Sequence, residues 1–137
     1  MFVICFAFKA VSQAPSDPFT IYNNFSCDIT VAIEYWDAGC TMSSPCYFSP
    51  VGGDVIGQSS SFTVPGCFPN SAGDIHVVLL EIDGVPVSGT PNVGYMDPPP
   101  VCINSSAASV SGSYPVGAAC SGGWSLTYNG PTDVTFQ

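Results

Sequence analysis

Between two cysteines the chain reads CDITVAIEYWDAGC, and from Ile29 to Trp36 its side chains fall into two alternating sets. Ile29, Val31, Ile33 and Tyr35 make one set; Thr30, Ala32, Glu34 and Trp36 make the other. Successive side chains of a strand point to opposite faces, so eight residues of this pattern specify a half-buried β-strand. No segment carries the 3.6-residue apolar period of a helix. Thirteen prolines and fourteen glycines break the rest into short pieces. Pro18–Tyr22 reads as a first strand closed by Asn23-Asn24, and Ser60–Val64 as a weaker strand stopped by Pro65-Gly66. DIHVVLLEI, residues 74–82, is almost continuously apolar and rich in Val and Ile, as expected of a central strand. Asp83-Gly84 is a hairpin turn, and Pro86 confines the returning Val85–Val87 to an edge. Trp124–Tyr128 and Asp133–Phe136 complete the set around the turn Asn129-Gly130-Pro131. Short strands between turn signals predict an all-β fold, an antiparallel β-sandwich of immunoglobulin-like topology, with a jelly roll as the alternative.

The first residues read differently. Phe2–Phe8 is a short apolar run, and Ala10-Val11-Ser12-Gln13-Ala14 supplies small residues after it. That is the apolar and cleavage pattern of a secretory signal peptide without its basic start, so residues 1–12 are expected to be a truncated leader. Cleavage after Ser12 leaves a single secreted domain at residues 13–137. It also removes Cys5 and leaves six cysteines: Cys27, Cys40, Cys46, Cys67, Cys102 and Cys120. An even count in a small exported chain reads as a disulfide framework. Local spacing suggests Cys40–Cys46 and Cys102–Cys120, which leaves Cys27–Cys67 by subtraction. The second of these would staple the Pro-, Ser-, Ala- and Gly-rich stretch 97–123, which is too long for an unstructured connection in a compact domain.

The leader also holds Lys9, the only Lys or Arg in the chain, so its removal takes the net charge from −9 to −10. Nucleic acids and anionic membranes are bound through Lys and Arg, so neither is expected as a partner. Bidentate arginine sites and lysine-bearing phosphate loops are excluded on the same ground. No insertion into a membrane is expected once the leader is gone.

Candidate sites are few. His76 is the sole histidine and lies on the expected central strand; a structural place on a strand face is the expectation, since catalysis needs a nucleophile and an orienting group beside it. Glu34 and Glu81 are a possible pair of carboxylates for glycoside hydrolysis, although their spacing does not place them together. Glu81, Asp83 and Asp54 are turn-proximal acids that can offer oxygen ligands to calcium, the one cofactor considered. Asn24-Phe25-Ser26 and Asn104-Ser105-Ser106 match the N-glycosylation acceptor pattern. Trp36, Asp37, Tyr95 and Trp124 are the ligand-binding candidates, because an aromatic ring can stack on a sugar while acids bond its hydroxyls. Trp36 falls on the face opposite Tyr35.

The run IYNNFSCDITVAIEYWD, with FTVP, VVLLEIDG and the terminal TFQ, resembles short exported all-β proteins of Bacteroidota-type bacteria. The resemblance implies export and a β fold and attaches no activity or site. The expected function is a secreted, extracellular or cell-surface binding module rather than an enzyme, its partner a glycan or a protein. A self-assembling surface subunit is the alternative, with unguarded sheet edges and Gln13–Pro18 as a donated strand. A small hydrolase comes last.

Overall fold

A computed structural model of the chain describes residues 18–35, 47–65, 75–95, 107–130 and 132–137. The expected leader, Cys40, Cys46, Cys67, Cys102, Trp36 and Asp37 lie outside the described residues. Eleven strands appear among those described: β1 (Phe19–Asn23), β2 (Ile29–Tyr35), β3 (Tyr47–Phe48), β4 (Asp54–Ile56), β5 (Ser60–Val64), β6 (Ile75–Ile82), β7 (Val85–Pro86), β8 (Asn92–Tyr95), β9 (Ser109–Ser113), β10 (Gly123–Gly130) and β11 (Asp133–Phe136). They form two sheets. The first runs β5-β1-β11-β10-β9; the second centres on the β2–β6 pair, with β3 and β4 along β2 and β7 and β8 along β6.

The period-two pattern determines what lies between the sheets. Ile29, Val31, Ile33 and Tyr35 are buried from β2, and Ile75, Val77, Leu79 and Ile82 from β6. They meet Phe19, Ile21, Leu126, Val134 and Phe136 of the first sheet in one core. Each such side chain contributes roughly 1.5–3 kcal/mol by leaving water. The fold is therefore the expected all-β sandwich. One pairing departs from the antiparallel expectation: β1 runs parallel to β11, Thr20 opposite Asp133 and Asn23 opposite Phe136.

On β6 the alternation changes phase at Leu80. Thr30 faces Glu81 while Val31 faces Leu79, so Leu80 is the extra residue of a β-bulge. The bulge resets the parity, keeping Glu81 at the surface and returning Ile82 to the core. Beyond it, Asp83 (φ 54°) and Gly84 (φ 72°) both take positive φ, as a two-residue turn of this kind requires, and hand the chain to the edge strand β7.

The turn between β1 and β2 is organised by a fully buried asparagine. Asn23 Nδ2 donates to the carbonyls of Cys27, Ile56 and Gly57 at 2.7, 3.1 and 3.0 Å, and its Oδ1 accepts the Phe25 N–H at 3.1 Å. Cys27, held in this turn, is bonded to Cys120 in the connection from β9 to β10. This corrects Cys102–Cys120, expected from local spacing, and Cys27–Cys67, expected by subtraction. Local spacing failed here because the connection 114–122 folds back over the β1–β2 end of the sandwich. The stretch expected to be a stapled loop in fact contains β9, and the Gly- and Pro-flanked segment around Tyr95 is the strand β8. Among the described residues no helix is long and apolar enough to cross a membrane.

Candidate functional site

The outer face of the second sheet carries the most chemically varied cluster. Register places Phe48, Glu34, His76 and Gly94 in one row across β3, β2, β6 and β8. Ala32, Val78 and Asn92 form the parallel row beside it. Phe48, Glu34, His76, Ala32 and Val78 of these rows, with Ile33, line a depression of about 270 Å³ with an apolar floor at Ala32 and Val78. Phe48 stands at its rim with 65 % of its surface exposed. Across from it, His76 Nε2 is buried and has no hydrogen-bond partner among the described residues. Burying a polar nitrogen unpaired costs on the order of 1–3 kcal/mol, so such atoms are rare and call for a reason.

A two-residue strand such as β3 cannot hold Phe48 by its own ladder. It is braced by side chains. Ser49 Oγ accepts the Ile33 N–H at 2.7 Å and donates to Asp54 Oδ2 at 2.5 Å. The Tyr47 hydroxyl donates to the same carboxylate, 3.0 Å from Oδ1 and 2.9 Å from Oδ2. Burial, then the hydrogen bond to Asp54 and its negative charge, push the Tyr47 phenol up to about 12. Gly53 closes the same hairpin: a Cβ there would lie 2.7 Å from the Val31 carbonyl oxygen, so only glycine lets the turn lie on the sheet. Phe48 is thus presented on a rigid corner.

The ligand-binding candidates from the sequence separate. Trp36 and Asp37 lie outside the described residues. The Tyr95 backbone pairs with Ile75, in the row that also contains Tyr35. Trp124 is no exposed platform: it is 5 % exposed, its indole lies over Gly112, and its Nε1–H donates to the Ser113 carbonyl at 2.9 Å. Its inward position follows from the alternation Trp124, Leu126, Tyr128, all buried.

The acids disperse as well. Asp54 serves Tyr47 and Ser49, Glu81 Oε2 accepts from Thr30 at 3.3 Å, and Asp83 Oδ2 accepts the Ala119 N–H at 2.8 Å. No group of three potential metal ligands occurs among the described residues. Glu34 and Glu81 share the outer face, but Glu81 faces Thr30, so their backbone positions are four residues apart along β2, roughly 13 Å. Glycosidase carboxylates stand about 5–9.5 Å apart.

Phe48 is absent from the ligand-binding candidates the sequence offers, because its strand is too short to show a period. The sequence does contain the signal for Glu34, on the solvent-facing half of an alternating strand, whereas His76 lies in a nearly continuous apolar run that implies a strand and not which face is outward. No protein-family model matches the chain, and neither does any curated protein or solved structure.

Proposed function

We propose that this chain is a secreted binding module that takes a sugar ring against Phe48, on the outer face of the second sheet. The observation that carries the reading is the unpartnered, buried His76 Nε2 beside a depression rimmed by an exposed aromatic ring. A pyranose offers an apolar face to the phenyl ring and hydroxyls to polar groups at its edge, the mixed lining typical of small-molecule sites. His76 and Glu34 are the polar groups of that row. The sequence pattern that puts Glu34 on this face assigns Trp36 to it too, with Asp37 next in the chain.

Charge narrows the ligand. With −9 overall and Glu34 at the site, neutral or amino sugars are favoured and sialylated or uronic acid chains are repelled. Secretion is supported by the leader-like start and by the Cys27–Cys120 bridge, since disulfides persist in oxidising compartments. The test is a glycan array with the wild-type protein and Phe48→Ala. Phe48 is exposed, so truncation leaves stability within about 0.5 kcal/mol. We expect neutral or amino glycans to bind and Phe48→Ala to lose at least roughly tenfold in affinity, about the loss of one good stacking contact. Equal binding by the two proteins would refute the site.

A further inference from the structure

A second surface, on the other sheet, has the features of a strand acceptor. Among the described residues β9 is the terminal strand of the first sheet and pairs with β10 alone. The bonds Tyr128 N–H to Ala108 O at 2.8 Å and Tyr114 N–H to Gly122 O at 3.4 Å fix which residues of β9 turn their backbone toward β10. Backbone groups of a strand point alternately to its two neighbours. The even-numbered residues from Ala108 to Tyr114 therefore face β10, and Ala107, Ser109, Ser111 and Ser113 face outward. Two of these outward groups have partners. The Ala107 carbonyl accepts the Gly94 N–H at 3.1 Å, where β8 meets the first sheet, and the Ser113 carbonyl accepts the Trp124 indole. Between them, Ser109 and Ser111 offer N–H and C=O to no strand among the described residues.

Edges of this kind are ordinarily guarded by lysine, proline or a bulge. β9 reads SVSGS and has none of these. Past the Ala107 contact the sheets part, leaving a groove of about 400 Å³ beside the open edge. Val87 and Pro91 form one wall, Pro115 and Val116 the other, and Trp124 contributes to its lining. Tyr114 also lines the groove, and its buried hydroxyl has no hydrogen-bond partner among the described residues.

We propose that the outer edge of β9 and the groove beside it accept an extended, lysine- or arginine-bearing segment of a partner polypeptide as an added strand. Its backbone pairs with Ser109 and Ser111, and an apolar side chain enters the groove. The backbone pairing specifies an extended chain, as in other cases of β-augmentation. Charge specifies its composition. The protein carries ten acids against one lysine, and Asp83 accepts the Ala119 N–H in the same connection that supplies Pro115 and Val116, so a cationic strand is attracted and a second copy of this chain is repelled.

The experiment uses the full-length protein and a blocked synthetic peptide alternating valine and lysine, followed by calorimetry and amide hydrogen exchange. We expect binding, with the Ser109 and Ser111 amides newly protected. N-methylation of alternate peptide amides should weaken it roughly tenfold, because the backbone bonds are removed while the side chains stay. Ser111→Pro should weaken it similarly, since that N–H plays no part in pairing with β10. If Ser111→Pro unfolds, the N-methylated peptide and the exchange data carry the decision. Failure of the valine–lysine peptide to bind, equal binding of the N-methylated peptide, or equal binding of a valine–glutamate peptide would each overturn the proposal. So would dimerisation of the free protein with the same two amides protected.

Discussion

The Tyr47 hydroxyl straddles both oxygens of Asp54, and the pair gives the protein an alkaline signature. Burial and the neighbouring carboxylate move the phenol from 10.0 to about 12. In the unfolded chain Tyr47 loses its proton near pH 10, whereas in the folded chain it holds it to about pH 12. The folded state thus binds more protons across that interval, so stability falls as pH rises through it. The contribution is complete below pH 10 and gone above pH 12. Because the side chain is partly exposed, solvent screening reduces its size below the full linkage value. Urea midpoints measured between pH 9 and pH 12 test this: Tyr47→Phe should be less stable at pH 9 and lose less on going to pH 12. Burial also pushes the Tyr114 hydroxyl up, so a residual slope should remain until Tyr114→Phe is added.

At the level of strands, the β9–β10 pair depends on a missing side chain. Gly112 lies opposite Trp124, and a Cβ on Gly112 would stand 2.7 Å from the indole Cζ2. Gly112→Ala must therefore displace the ring and strain its bond to the Ser113 carbonyl. Overpacking of this kind costs about 1–3 kcal/mol. In a Trp36→Phe background, where Trp124 alone reports, the emission should shift to the red and the urea midpoint should fall; an unshifted spectrum would mean the ring has not moved. This contact was not legible in the sequence, because SVSGS has one apolar side chain larger than a hydrogen atom, Val110, too few to mark a buried face. The long strands were legible: Ile29–Tyr35 as half-buried from its alternation, Ile75–Ile82 as central from its apolar run, and Asp83-Gly84 as a turn only certain residues can make. β3, β4 and β8 were not, for their two to four residues span no full pattern and are held by partners distant in sequence. The same division runs through the candidate site. Glu34 sits where parity puts it and His76 on the strand its apolar run implies, while Phe48 depends on the Ser49–Asp54–Tyr47 brace, which no local signal announces.

For the molecule as a whole, charge and covalent closure oppose each other. Ten acids with one lysine repel throughout the fold, and His76 is the only other side chain able to take a positive charge. The Cys27–Cys120 bridge joins residues 93 apart and ties the β1–β2 turn to the β9–β10 connection. A closed loop of that length restricts the unfolded chain and, in the chain-entropy account, stabilises the fold by about 4.6 kcal/mol. Cys27→Ala with Cys120→Ala, which leaves no stray thiol from this pair, should lower the unfolding free energy by about 2–4 kcal/mol in urea titrations. Raising ionic strength to 0.5 M sodium chloride, roughly a Debye length of 4 Å, should stabilise the wild type and the double variant by similar amounts, because salt screens the acids and leaves the bridge untouched. The two effects then add, as they do for independent terms. If salt rescued the double variant far more than the wild type, the bridge would be acting chiefly to hold repelling acids in place, and its stabilisation would lie in the native state rather than in the restricted unfolded chain.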